Sequence, residues 1–202
     1  MTGPDVDGIH GMHGIDDEAD GRRRRGRRRR ATLIEAVLVV VARDGVAGVS
    51  HGSVAAAAGL PRSAVSHHFA SLDDLLDAAL RSGTEQLIAA VPQVPPGSDL
   101  SWFAHQLVSL FEENRDRVAA GYELYTLAAR RPALRSAVGL WLDLLHDLAR
   151  HHTDDPARVR GFAVAVDGYF LQALAAGTSP RADELVSLLA AALTDHAHAP
   201  GP

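Results

Sequence analysis

A chain of 202 residues, 47 % of them apolar and none of them cysteine, has material for a buried core and none for disulfides, thiolate metal sites or cysteine nucleophiles. No apolar run approaches the roughly 20 residues of a membrane-spanning helix, and the basic N-terminal segment lacks the apolar stretch of a signal peptide, so a cytoplasmic protein is expected. The net charge of −5 hides an asymmetry, since all 20 basic residues are arginine and eight of them (Arg22, Arg23, Arg24, Arg25, Arg27, Arg28, Arg29 and Arg30) crowd into residues 21–30. The other twelve arginines face 25 acids, a balance near −13. A dense cationic patch on an acidic body is the footprint of local polyanion binding.

Residues 1–20 are rich in Gly, Asp and His without apolar periodicity and read as disordered, and the arginine run after them reads as a mobile arm. Helical spacing begins at residues 32–43, where Leu33, Ile34, Val37, Val40 and Val41 recur at i, i+3 and i+4 before Gly45 and Gly48 end the pattern. Ser50 then caps a helix over 51–58, and Gly59-Leu60-Pro61 makes a tight break. A further short helix covers 62–69. Ser71, followed by Asp73 and Asp74 in the first turn, starts a fourth that runs through Leu80 towards Val91. Pro92, Pro95, Pro96 and Gly97 are the clearest punctuation, and a domain boundary is expected within or just before them. Beyond lie helical segments at 98–115, 117–129, 133–152, 156–176 and 180–197, and no useful length alternates with period two. The fold class is therefore all-α.

Residues 50–69 meet the requirements of a helix-turn-helix: a small-faced first helix (Ala55 to Ala58), a glycine tolerant of positive φ (Gly59), and a second helix with one apolar side. Leu60, Val65 and Phe69 anchor that second helix, leaving Arg62, Ser63, Ser66 and His67 to face outward. The run from Ala58 to Leu76, with Gly59, His68-Phe69, Ser71 and Leu75-Leu76 in register, resembles the signature of TetR/AcrR-type transcriptional regulators. Ser50 stands at a usual threonine position, and Asp167-Gly168 in the penultimate helix also resembles a recurrent feature of that family. Two positions depart from the pattern, Ser66 where a tyrosine is usual and Leu72 where a lysine commonly touches phosphate.

The resemblance implies an N-terminal three-helix DNA-binding domain over 31–80, following the disordered tail and arm of 1–30. A helical effector-binding and dimerisation domain then occupies 81–202. It implies DNA contacts from Ser50, Arg62, Ser63, Ala64, Ser66, His67 and His68. Residues 31–80 carry only Arg43 and Arg62 against five acids, so the arginine arm is expected to supply phosphate or minor-groove contacts. Nine of the ten aromatic residues lie beyond the proline segment, and Trp102, Phe103, His105, Tyr122, Tyr125, Trp141 and Asp167 are the candidates for lining an effector pocket. Apolar faces on the last two helices (Phe162, Val166, Tyr169, Phe170 and Leu174, then Leu185, Leu188, Leu189 and Leu193) are the expected dimer interface.

The expected partners are a palindromic double-stranded operator, a second copy of the chain and a small-molecule effector, with no membrane and no cofactor. His67-His68, His151-His152, His196 and His198 lack metal-ligand spacing, and no catalytic constellation is present, so neither a metal site nor an enzyme is expected. The expected function is a one-component regulator, a repressor released by its effector. A nonspecific polyanion- or DNA-binding helical protein, or a small helical enzyme, is the alternative.

Overall fold

The computed structural model describes residues 12–91, 95 and 97–194, with side chains from Asp20 onward; the expectations for residues 1–11, Pro92, Pro96 and 195–202, including His196 and His198, lie outside them. Nine α-helices and no strand occur among the described residues. They are α1 (Met12–Asp44), α2 (His51–Ala57), α3 (Arg62–His68), α4 (Leu72–Ala90), α5 (Leu100–Glu113), α6 (Arg115–Leu127), α7 (Arg135–Arg150), α8 (Pro156–Ala176) and α9 (Ala182–Leu193). Short 3-10 turns at Val46–Gly48 and Pro132–Leu134 precede α2 and α7.

Local chemistry sets most of these boundaries. Ser50 Oγ accepts the Ser53 N–H at 3.1 Å while Ser53 Oγ accepts the Ser50 N–H at 2.8 Å, a reciprocal box that satisfies two otherwise orphaned donors at the start of α2. Gly59, at φ 64°, takes the left-handed turn into α3. Ser71, Asp99 and Asp155 cap α4, α5 and α8 through their side chains.

The first of these helices corrects the sequence reading. Arg22 to Arg30 do not form a disordered arm ending at residue 30 but belong to the same helix as Leu33 to Val41. The apolar half of α1, with Leu33, Val37 and Val40 fully buried, fixes the helix. Arginine, a good helix former, then extends it at little cost per residue. An ion pair from Arg24 to Asp20 at 3.3 Å adds one helical rung.

Two cores organise the molecule. One gathers α1, α2, α3 and α4 around Leu33, Val37, Val54, Val65, Phe69, Leu75 and Leu76, and continues into α6 and α7 through Ala120, Leu124 and Ala137. The other gathers α5, α7, α8 and α9 around Phe103, Leu107, Leu145, Phe162, Val166, Leu185 and Leu189. α4 is one continuous helix across the boundary expected at residue 80, burying Leu75 and Leu76 near its start and Gly83 and Thr84 further on. No helix among the described residues is long and apolar enough to cross a membrane.

Candidate functional site

The short helix α3 is held by its inner side, where Val65 is fully buried and Phe69, just past its end, is 4 % exposed. Arg62, Ser63, Ser66 and His67 face solvent, with Ala64 and His68 half-buried. In α2, Ala55 packs inward as the small-faced reading requires, but Ala56 and Ala57 are exposed and Ala58 is half-buried. Ser50 is exposed with its hydroxyl already engaged in the cap.

All eight arginines from Arg22 to Arg30 are exposed. The Arg30 guanidinium sits 4.8 Å from the centre of the Phe69 ring, a cation–π contact that ties the base of the arginine segment to the end of α3. Partial burial, then the positive charges of His67, Arg29 and Arg30, lowers the pKa of His68 from its ordinary value. Arg30, at the base of the arginine segment, thus lies beside the end of α3.

A second site lies between the two cores. An apolar cavity, with an empty volume of about 610 Å³ partly open to solvent, is lined by Leu80, Thr84 and Leu87 of α4, Leu107, Leu110 and Phe111 of α5, and Val118, Gly121, Tyr122 and Tyr125 of α6. Val138 and Trp141 of α7 and Phe170 of α8 complete the wall, with Phe111 and Phe170 stacked at 4.9 Å. Behind three of these rings sits Asp167. It accepts hydrogen bonds from Trp141 Nε1 at 2.8 Å, Tyr122 Oη at 3.1 Å and Tyr125 Oη at 3.4 Å. Burial raises the Asp167 pKa above the usual carboxylate range, opposed by these three donors, and burial followed by the Asp167 charge pushes the Tyr122 phenol up.

Of the candidates for an effector pocket, Tyr122, Tyr125 and Trp141 line this cavity, with Asp167 bonded to them from behind. Trp102 and Phe103 do not. They pack edge-on to each other at 5.2 Å in the second core, where Phe103 also meets His152. His105 is exposed, bonded to the Ser101 carbonyl at 2.7 Å, in a separate shallow depression with Arg181 and Asp183. The aliphatic wall from α4, α5 and α6 has no distinguishing sequence signal, because a Leu facing a cavity and a Leu facing a core obey the same periodicity.

α4 and α6 connect the two sites. α6 turns Tyr122 and Tyr125 to the cavity and buries Ala120 and Leu124 in the core of the DNA-binding-type head. Its Glu123 Oε1 accepts the Val46 N–H at 2.6 Å, in the turn that leads from α1 to α2. Arg117 pairs with Glu35 of α1, and Arg131 with Asp73 of α4.

The expected dimer face needs correction. Phe162, Val166, Phe170, Leu185 and Leu189 are at most 4 % exposed in the single chain, and so serve its own core. Leu174 and Leu193 pack half-buried against that core, and the Tyr169 hydroxyl accepts the Arg181 N–H at 2.6 Å. The outward apolar side chains are instead Val164 (66 % exposed) and Leu171 (43 %) on α8 and Leu188 (44 %) on α9, and only Leu188 belongs to the expected set. α8 is apolar nearly all round, so spacing alone does not say which side faces in.

A helix-turn-helix head and an apolar cavity walled partly by a helix of that head, α4, make up an architecture of the kind found in helical transcriptional regulators. The family model for the tetracycline repressor-like C-terminal domain matches residues 98–195. Among solved structures, a TetR family member from Streptomyces coelicolor A3 shares 35 % identity and a TM-score of 0.74, covering 83 % of this chain and 99 % of that one. The multidrug binding protein EbrR complexed with ethidium shares 35 % identity and a TM-score of 0.73, over 83 % and 99 % of the two chains, and its complexes with proflavin and malachite green also match. The nicotine-responsive transcriptional repressor HdnoR of Paenarthrobacter nicotinovorans is 32 % identical over 108 residues, which is 51 % of this chain. The chain spans little more than half (56 %) of the length of that curated relative. The chain belongs to the TetR family of transcriptional regulators.

Proposed function

We propose that the chain is a cytoplasmic one-component repressor that binds a palindromic operator as a homodimer and is released by a small molecule entering the cavity between α4, α5, α6, α7 and α8. Arg62, Ser63, Ala64, Ser66, His67 and His68 present the reading surface. The arginines of α1 add phosphate contacts, which contribute most of the affinity of a protein for duplex DNA. One short helix reads few bases, so two copies with heads about 34–36 Å apart, or a multiple, are needed to read a palindrome. Ser50 contributes by holding α2 in place through its cap.

The observation that carries this reading is that α4 and α6 each belong both to the cavity wall and to the core of the head. A molecule that fits the cavity better in one arrangement of these helices shifts the protein towards that arrangement, by no more than its differential affinity for the two. The ligands of EbrR and the nicotine response of HdnoR support a small organic effector.

The test is fluorescence anisotropy of the purified chain on DNA from upstream of its own gene and on random duplex. The expected result is preferential binding upstream, and a larger loss there than on random duplex for the Arg62→Ala, His67→Ala double variant. A discriminating base contact is worth about 1–3 kcal/mol, so the loss is expected to exceed tenfold. Equal affinity for both duplexes overturns the repressor reading in favour of nonspecific polyanion binding.

A further inference from the structure

The arginine segment extends the head as a helix and not as a loose arm. Its base is tied to the end of α3, where Arg30 lies over Phe69. At 1.5 Å per residue, Arg22 stands about 12 Å further along the axis. At about 100° per residue the eight exposed arginines surround that axis, the widest gap being about 80° on the side of Gly26. Such a rod has no apolar side to lay in a lipid interface, and its charge matches a polyanion. The protein beside it is acidic: Asp74, Asp77 and Glu85 of α4 share a shallow depression with Arg30. An α-helix is about 10–12 Å across, whereas the minor groove of duplex DNA is about 6 Å wide, so the segment as folded does not fit into that groove.

We propose that the arginine helix is a second DNA contact, a rigid rod lying against the phosphates of duplex that flanks the stretch read by α3. The inference rests on the reading of α3 as the DNA-reading helix. The contact stays outside the minor groove and disregards sequence, because phosphates carry no base identity. A duplex presents one negative charge per about 1.7 Å of its axis, so a segment of about 12 Å runs past roughly seven phosphates. With arginines on every side of the helix, about half of them face the duplex whichever side it approaches. Each head then neutralises about four flanking phosphates, which steepens the dependence of log affinity on log salt by about 3–4. The rod adds strength, and the choice of sequence stays with α3.

The experiment takes the shortest duplex from upstream of the gene that the full chain prefers to random duplex of equal length. That duplex is lengthened at each end by about 4 and then about 8 base pairs, in A·T-rich and in G·C-rich versions, and binding is followed by anisotropy. The unaltered chain is expected to gain about tenfold or more from the first extension and little from the second, equally for both compositions. The variant with alanine for Arg22–Arg25 and Arg27–Arg30 is expected to gain nothing. Gly26→Pro keeps all eight arginines but breaks the helix between Arg25 and Arg27, and is expected to lose most of the gain. A gain confined to A·T-rich flanks signals entry into the minor groove, and a gain that Gly26→Pro keeps in full signals a flexible arm. Either result overturns the rod, as does indifference to flank length, while the preference for upstream DNA leaves the repressor reading standing. Absence of any preference for upstream DNA overturns that reading and the inference with it.

Discussion

Glu123 joins parts of the chain that no local pattern connects. Its carboxylate reaches 77 residues back to the Val46 N–H, at the turn that sets the entry into α2. Gly45 makes the approach possible, since it takes φ 71° and a Cβ there would stand 3.1 Å from Glu123 Oε1. Glu123→Ala is expected to lose about 1 kcal/mol of stability, the net worth of a partly solvated hydrogen bond, seen as a lower urea midpoint with unchanged slope. Because the same helix lines the cavity, the variant is also expected to weaken the effect of a bound ligand on operator affinity, while ligand affinity without DNA stays within about twofold. Full retention of that effect in the anisotropy assay removes Glu123 from the coupling. The caps at Ser50 and Ser71 were legible in the sequence because donor and acceptor lie three residues apart. Glu123 was not, because an interaction between distant segments leaves no periodic trace.

The helices show the same division between local and distant causes. α8 runs from Pro156 to Ala176 as the sequence indicates, bounded by a capping Asp155 and by Gly177 in the left-handed conformation. The N-terminal part of α1 escaped detection because apolar periodicity, the main signal of a helix, is missing from a run of arginines. α9, expected over 180–197, is described only as Ala182–Leu193. The arginine segment makes a prediction of its own. Replacing Arg22–Arg25 and Arg27–Arg30 with alanine is expected to flatten the plot of log affinity against log salt by about 0.9 for every phosphate the segment no longer neutralises. Alanine favours the helix at least as well as arginine, so the change reports charge and not folding. An unaltered slope removes the segment from the DNA interface.

At the scale of the whole molecule, the proposed homodimer raises the question of which surface a second copy covers. Val164, Leu171 and Leu188 are large apolar side chains left in water, and Gly168 lies on α8 between the first two with open space where a Cβ would be. An exposed apolar strip with a glycine in it allows two helices to approach closely. Leu188→Glu combined with Val164→Glu is expected to yield a folded monomer in sedimentation equilibrium, with much weaker operator binding. Leu185→Glu, which buries a charge in the core of the subunit, is expected to prevent folding instead. A double variant that still sediments as a dimer shows that the copies meet elsewhere. The apolar character of α8 and α9 was legible in the sequence, but their inward and outward sides were not, since that depends on where α5 and α7 lie.

The sharing of α4 and α6 between cavity and head also bears on how such a protein changes over generations. Leu80 belongs both to the cavity wall and to the core of the head, so its substitution alters the cavity and the seating of the head in a single step. Leu107, Leu110 and Phe111 on α5 and Phe170 on α8 line the same cavity from helices that take no part in the core of the head. On the proposed reading, new chemical preferences can therefore accumulate along α5 and α8 while recognition of the operator stays intact. Descendants that respond to different molecules are expected to diverge there first.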